Sequence, residues 1–116
     1  MMEFSVETQG EVVVLKLRGP IHAEDNDAFA KALDGLRERG AYRVVVDGEK
    51  LDYVNSRAVG TLVAFTHDAR IRDGRVAILR PNATVGKVLK SVGLLSLVPR
   101  YDTLEEAVSA CREQKA

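Results

Sequence analysis

Residues 51–62, LDYVNSRAVGTL, join a strand pattern to a helix pattern, and this junction decides the fold. The three consecutive valines at 44–46 are typical of a strand that is covered on both faces in a parallel sheet. After Gly74, residues 76–79 repeat that pattern, so a right-handed crossover between two parallel strands is predicted. We expect the intervening helix to begin near Asn55 or Ser56. Its stripe at helical spacing consists of Val59, Leu62, Val63, Thr66 and Ala69.

Upstream of this unit, the sequence predicts an antiparallel hairpin followed by a helix. Residues 3–7 alternate between apolar and polar, and Gly10 separates them from a more buried strand at 12–17. We expect Gly19 and Pro20 to end that second strand. The next helix has acidic residues near its start, which suits the helix dipole, and Gly40 is expected to end it. Its apolar stripe consists of Phe29, Ala32, Leu33 and Leu36.

Downstream of the crossover, two more helices and a short strand are predicted. Gly93 is expected to close the first of these helices in the left-handed conformation. Pro99 restricts a short strand at 98–101 to the edge of the sheet, and Thr103 with Glu106 forms a capping box that starts the last helix. The sequence therefore predicts a single α/β domain over residues 1–116. We expect a mixed sheet of about five strands, with four helices on one face or at both ends.

Composition excludes several classes of protein. The chain has 116 residues, and its 17 basic side chains balance 17 acidic ones, which argues against a nucleic-acid binder. Cys111 is the only cysteine, so no intramolecular disulfide is expected. The apolar runs are far too short to span a membrane, and no N-terminal signal pattern is visible. We therefore expect a cytoplasmic protein without membrane insertion.

The sequence carries no motif that specifies a cofactor, a metal or a catalytic centre. Phosphate-binding loops, dinucleotide fingerprints and H-E-x-x-H are all missing, so no cofactor and no enzymatic activity are expected. His67 is interpreted as a solvated residue in mid-helix. A hydrolase that pairs Ser56 with His22 stays open, although the G-x-S-x-G elbow is missing. The simplest role for Asn55 or Ser56 is to cap the helix, since both are favoured caps.

Three segments together resemble the STAS domain family, which includes bacterial anti-sigma factor antagonists. Residues 51–62 are similar to the family's switch loop D-S-[ST]-G-[LIV]-G, with Ser56 at the phosphorylated serine and Val59 and Gly60 at the following positions. Residues 17–22, LRGPIH, resemble the motif L-x-G-x-[LI]-D. Residues 92–107 are similar to the family's VGL…LF…Y-x-S-x-E-E-A ending. The resemblance covers essentially the whole chain in order.

Four positions depart from the family pattern. Asn55 and His22 stand where the family usually has aspartate. Arg57 replaces a second serine or threonine, and Ala58 replaces a glycine. Two acidic groups near the serine are therefore missing, and a cation stands beside it.

The resemblance implies a partner-switching protein that regulates transcription. Its partner would be an anti-sigma factor with a histidine-kinase-like ATPase fold, and phosphorylation of Ser56 would control binding. Alternatives are a constitutive STAS adaptor, such as a stress-signalling component or the soluble subunit of a lipid-transport ATPase, and a small serine hydrolase. A monomer or a weak dimer is expected. The implied partner-binding patch consists of His22, Asn55, Ser56, Arg57, Ala58, Val59, Gly60, Thr61, Thr84 and Val85.

Overall fold

A computed structural model of the chain describes residues 1–112, and residues 113–116 of the predicted domain lie outside that range. Two short 3-10 helices, Ala23–Asp25 and Leu94–Ser96, accompany the regular elements. In chain order those elements are β1 (Glu3–Gln9), β2 (Val12–Ile21), α1 (Asn26–Glu38), β3 (Arg43–Val54), α2 (Ser56–Ile71), β4 (Arg75–Leu79), α3 (Ala83–Ser91), β5 (Arg100–Tyr101) and α4 (Leu104–Arg112).

The sheet is mixed, and its strands lie in the order of the sequence, from β1 to β5. β1 pairs antiparallel with β2, while β2, β3, β4 and β5 run parallel to one another. The hairpin, the parallel crossover and the α/β class predicted from sequence are confirmed. Each parallel strand is reached through a connection that contains a helix, as parallel strands require.

The helices lie on both faces of the sheet, which corrects the expectation of one face or both ends. Side chains of α1, α2 and α3 share one core with alternate residues of β2, such as Val13 and Leu15. The neighbouring residues Val12 and Val14 face the other way and pack with α4. Strand side chains alternate between faces, so an unbroken buried run needs cover on both sides.

Two strands extend further than the sequence predicts, and both extensions lead to the same end of the sheet. β2 continues through Gly19 and Pro20 to Ile21, and β3 continues to Val54. The pairing with β3 shifts register near Gly19, whose φ of 85° suits only glycine. β1 pairs with β2 only as far as Arg18, so the missing N–H of Pro20 costs no bond to β1.

The predicted helix boundaries at the C-terminal half are largely confirmed. Gly93 follows α3 with a φ of 77°, and the N–H of Glu106 donates to Thr103 Oγ1 over 3.1 Å at the start of α4. The predicted edge strand is shorter than expected, because only Arg100 and Tyr101 pair with β4. Within residues 1–112, none of the helices combines the length and the apolar character needed to cross a bilayer.

Candidate functional site

Ser56 is the first residue of α2 and lies where β3 ends at the carboxyl edge of the sheet. Asn55 caps this helix: its Oδ1 accepts from the N–H of Ala58 over 2.8 Å, as an N-cap side chain does. Ser56 and Arg57 are both exposed. Of the two caps that the sequence left open, the structure selects Asn55 and leaves the Ser56 hydroxyl on the surface.

The amide of Asn55 also ties three elements together. Its Nδ2 donates to the carbonyl of Ile21 at the end of β2 over 3.1 Å and to Oδ1 of Asn26 at the start of α1 over 3.0 Å. A carboxylate can only accept hydrogen bonds, so aspartate at position 55 would lose the bond to the Ile21 carbonyl. This bonding gives a structural reason for asparagine at position 55.

His22 and Tyr53 form an aromatic pair beside this junction. Their ring centroids are 5.3 Å apart and their planes are inclined by 37°. The pairing of Ile21 with Val54 between β2 and β3 brings the two rings together. Tyr53 is 41% exposed, which is high for a large aromatic side chain. Sequence reasoning missed Tyr53, because the predicted strand stopped before it.

Asp25 fixes the turn that carries His22. Its carboxylate is buried and accepts from the N–H of Met2 over 3.2 Å and from the N–H of His22 over 3.1 Å. These two backbone hydrogen bonds lower the pKa of Asp25 because they favour the ionised form, and the bond from Met2 has the larger effect. The sequence suggested only that acidic residues here suit the dipole of the next helix.

The start of α3 lies on the other side of β3, and an asparagine cap fixes it in the same way. Asn82 Oδ1 accepts from the N–H of Val85 over 2.8 Å, and its Nδ2 donates to the carbonyl of Leu51 in β3 over 3.0 Å. Thr84, in the first turn of α3, is exposed. The N-terminus of α2 is thus anchored to the end of β2 and the start of α1, and the N-terminus of α3 is anchored to β3.

The structure narrows the patch predicted from sequence. The side chains of Ala58, Val59 and Val85 are 2%, 7% and 1% exposed and belong to the core, so they are not available to a partner. Asn55 and Thr61 are half-buried, and Thr61 Oγ1 donates to the carbonyl of Arg57 over 3.0 Å. The predicted residues that remain exposed are His22, Ser56, Arg57, Gly60 and Thr84.

Residues 1–112 do not bring Ser56 and His22 into the arrangement that a serine hydrolase uses. A serine nucleophile needs a histidine base that a third group orients. Within residues 1–112, no hydrogen bond joins Ser56 to His22, and the ring of His22 lies against Tyr53. His67 is exposed on α2, as the sequence predicted.

Residues 3–107 match the family model described as the STAS domain. The chain belongs to the STAS domain family. A Thermotoga maritima protein named "Putative anti-sigma factor antagonist" is 25% identical to it over 105 residues, covering 90% of this chain and 93% of that protein. STAS proteins of this antagonist type are generally not enzymes.

Solved structures share this STAS fold. The anti-sigma factor antagonist SpoIIAA in its unphosphorylated form has a TM-score of 0.80 and 25% identity, covering 95% of this chain and 96% of that one. SpoIIAA of Bacillus in its phosphorylated form has a TM-score of 0.73, with 95% and 100% covered, at 25% identity. An antagonist from Mycobacterium paratuberculosis has a TM-score of 0.83 at 20% identity, covering 97% of this chain and 96% of that one.

Proposed function

We propose that this STAS protein is a cytoplasmic anti-sigma factor antagonist. It binds an anti-sigma factor with a histidine-kinase-like ATPase fold, and phosphorylation of Ser56 weakens that binding. The observation that carries the proposal is the exposed Ser56 hydroxyl at the first position of α2, directly after the cap. A kinase can reach a hydroxyl there without unfolding the domain. The phosphorylated form of SpoIIAA, a relative of the same fold, adds support.

The surface that would meet the partner surrounds this hydroxyl, and we name it the switch surface. Thr84 marks its far flank, because α3 is anchored on the other side of β3. The aromatic pair supplies exposed apolar contact area, since Tyr53 is 41% exposed. Tyrosine and arginine are enriched among the residues that dominate binding energy in interfaces. The switch surface consists of His22, Tyr53, Ser56, Arg57, Gly60 and Thr84.

A phosphate on Ser56 acts at the interface and leaves the fold intact. It adds a charge of about −1.5 to −2 beside free N–H groups and the positive end of the α2 dipole, so the modified helix start is not destabilised. Against a bound partner, the same phosphate must lose water without gaining a full set of partners. Burial of an unpaired charge costs several kcal/mol, and each 1.4 kcal/mol or so lowers affinity tenfold.

The test is a direct comparison of Ser56→Ala, Ser56→Asp and the wild type in capture of partners from lysate of the native organism. We expect the wild type and Ser56→Ala to capture a kinase-like ATPase, and Ser56→Asp to lose it. Ser109→Asp is the matched control, because Ser109 is exposed on α4, on the opposite face of the sheet. Incubation of the purified pair with ATP should add one phosphate to the wild type and none to Ser56→Ala.

A constitutive STAS adaptor is the second candidate, and Arg57 favours it. The cation stands next to Ser56 in a helix turn that contains no acidic residue, where it can contact an acidic partner without any phosphorylation. If the protein is an adaptor, its wild-type and Ser56→Asp forms should capture the same partner equally well. The Arg57→Glu variant should then lose that partner. Equal capture by the two Ser56 forms would therefore exclude the switch and leave the adaptor.

A further inference from the structure

A cavity of about 490 Å³ lies at the end of the molecule opposite to Ser56. Its walls come from the end of α2, the start of β4, the segment that follows α3, and α4. α2 has 16 residues, so at about 1.5 Å per residue its first residue, Ser56, and Arg70 near its last turn are roughly 20 Å apart along the helix axis. The cavity is therefore separate from the switch surface, and the proposed function does not use it.

The cavity exists because β5 is too short to complete the sheet. β5 pairs with β4 only at Ile78 and Leu79, so the first half of β4 has no β5 residue beside it. The N–H of Ile78 donates to the carbonyl of Pro99 over 2.9 Å. Val76 lies two residues earlier and directs its backbone groups to the same side, because the direction alternates along a strand. The backbone of Val76 therefore offers a donor and an acceptor to the cavity.

Two arginines place positive charge at the cavity. Within residues 1–112, the side chain of Arg70 makes no hydrogen bond and no ion pair, and it is exposed at the rim. Arg75 is half-buried, and its Nη1 donates to the carbonyl of Ala110 over 3.3 Å, which fixes the guanidinium against the wall. An arginine has five N–H donors, so most of those on Arg75 stay available. Among residues 1–112, Asp73 is the one acidic residue in the lining.

Much of the remaining wall is apolar, although Gly74 and Ser96 also contribute to it. Its other members are Val76, Ala77, Leu97, Pro99, Ala110 and Cys111. Burial raises the pKa of Cys111 to about 11, so the thiol stays protonated at neutral pH and is not a nucleophile. Cavities of roughly 300–1,000 Å³ with mainly apolar walls and a few polar groups are typical of small-molecule sites.

We propose that this cavity binds a small organic anion. Its carboxylate, sulfonate or phosphate group pairs with Arg70 and Arg75, and its apolar body packs against Leu97, Pro99 and Ala110, which are half-buried or exposed. A polar edge on the ligand can pair with the backbone of Val76 as a neighbouring strand would. An inorganic anion would leave the apolar wall uncovered, and a neutral apolar ligand would leave the two cations unpaired.

The test uses 8-anilinonaphthalene-1-sulfonate as the probe, because it joins a sulfonate to apolar rings. Titration is followed by probe fluorescence and by amide chemical shifts of the full chain. We expect saturable binding with the largest shifts at Gly74, Val76 and Ala77 and none at Ser56. Arg70→Gln should weaken binding at least tenfold. Ser96→Trp, which places a large ring at the cavity wall, should weaken it by a similar factor.

Matched controls separate this site from general attraction of the probe to arginines. Arg72→Gln removes a guanidinium that stacks 5.0 Å from the ring centroid of Tyr42 and does not line the cavity, so probe affinity should stay within twofold of wild type. Inorganic phosphate should compete at least tenfold more weakly than the probe binds. Equal loss in Arg70→Gln and Arg72→Gln, or shifts centred elsewhere, would overturn the proposal. Arg70 is exposed, so its variant should fold, and its urea midpoint checks this.

Discussion

The N-termini of α2 and α3 are built alike, and the difference between them points to where function lies. Each helix begins after an asparagine whose Oδ1 accepts from the N–H three residues later over 2.8 Å. Each asparagine also donates its amide to a carbonyl of a neighbouring strand, Asn55 to Ile21 and Asn82 to Leu51. The shared part is therefore an anchor that fixes a helix start to the sheet.

The α2 junction has three features that the α3 junction lacks. Asn55 makes an additional bond to Asn26 of α1, and a serine stands at the first helical position, where α3 has Ala83. The exposed pair of Tyr53 and His22 lies beside it. The asparagine cap and its bond to a strand are enough to fix the start of either helix. The three additional features of the α2 junction are therefore not needed to fix the helix. The comparison therefore supports the proposal that the switch surface is centred on the α2 junction.

Removal of the two anchors should give unequal losses of stability. Asn55→Ala loses a cap and two further hydrogen bonds, so we expect a fall of about 3 kcal/mol in the free energy of unfolding. Asn82→Ala loses a cap and one bond, so about 2 kcal/mol is expected. Urea denaturation monitored by circular dichroism measures both. Equal losses would mean that the bond between Asn55 and Asn26 contributes nothing.

Negative charge at the two junctions should have unequal effects on binding. Ser56→Asp is expected to lower affinity for the ATPase partner about 100-fold, or about 2.8 kcal/mol, because the charge lies at the centre of the switch surface. Thr84→Asp places the same charge in the first turn of α3, at the flank, and should lower affinity at most about fivefold. Isothermal titration with the purified partner measures both. A larger loss for Thr84→Asp would move the interface to α3.

A third junction, at the start of α1, extends the comparison to pH. Asp25 precedes this helix as Asn55 precedes α2, but its carboxylate bonds backwards to the N–H groups of Met2 and His22. The lowered pKa of Asp25 means that this stabilisation is complete above the unfolded-state pKa and is lost as pH falls through the folded-state value. Asp25→Asn should therefore destabilise the protein at pH 7.

The difference between Asp25→Asn and wild type should shrink as the medium is acidified below about pH 4, near the pKa of an unperturbed aspartate. Urea midpoints across this range provide the measurement. Asp27→Asn is the matched control, since Asp27 is exposed in the first turn of α1, and its effect should be smaller at every pH. A gap between wild type and Asp25→Asn that does not shrink at all between pH 7 and pH 3 would show that packing, rather than charge, is responsible.

Local patterns predicted most of the fold, because strand alternation, helix spacing and end signals lie within a few residues of one another. The hairpin turn at Gly10, the helix end at Gly93 and the Thr103 cap are all of this kind. The continuation of β2 through Gly19 and Pro20 was not predictable in this way. It depends on pairing with the last residues of β3, more than 30 residues away in the sequence. It also depends on where the pairing with β1 stops, which is at Arg18 opposite Glu3, the first residue of β1.

The candidate site was predicted only in part for the same reason. Ser56 and the helix start came from a motif and a cap signal within the chain. The burial of Ala58 and Val59, the exposure of Tyr53 and the bond between Asn55 and Asn26 depend on which elements meet in space. Spacing along one segment carries no information on a partner some 30 residues away.

Arg57 is a fourth difference between the junctions, and it should have opposite effects on stability and on binding. A cation in the first turn of α2 opposes the helix dipole, so Arg57→Gln should raise the free energy of unfolding by about 0.3–0.5 kcal/mol. The exposed guanidinium lies on the switch surface, so the same change should lower affinity for an acidic partner several-fold. Urea denaturation and isothermal titration on one preparation measure the two effects.

Lys87→Gln, on the exposed side of α3, should change neither by a comparable amount. A residue that served only to solvate the helix would give the gain in stability without the loss in binding, so unchanged affinity would remove Arg57 from the switch surface.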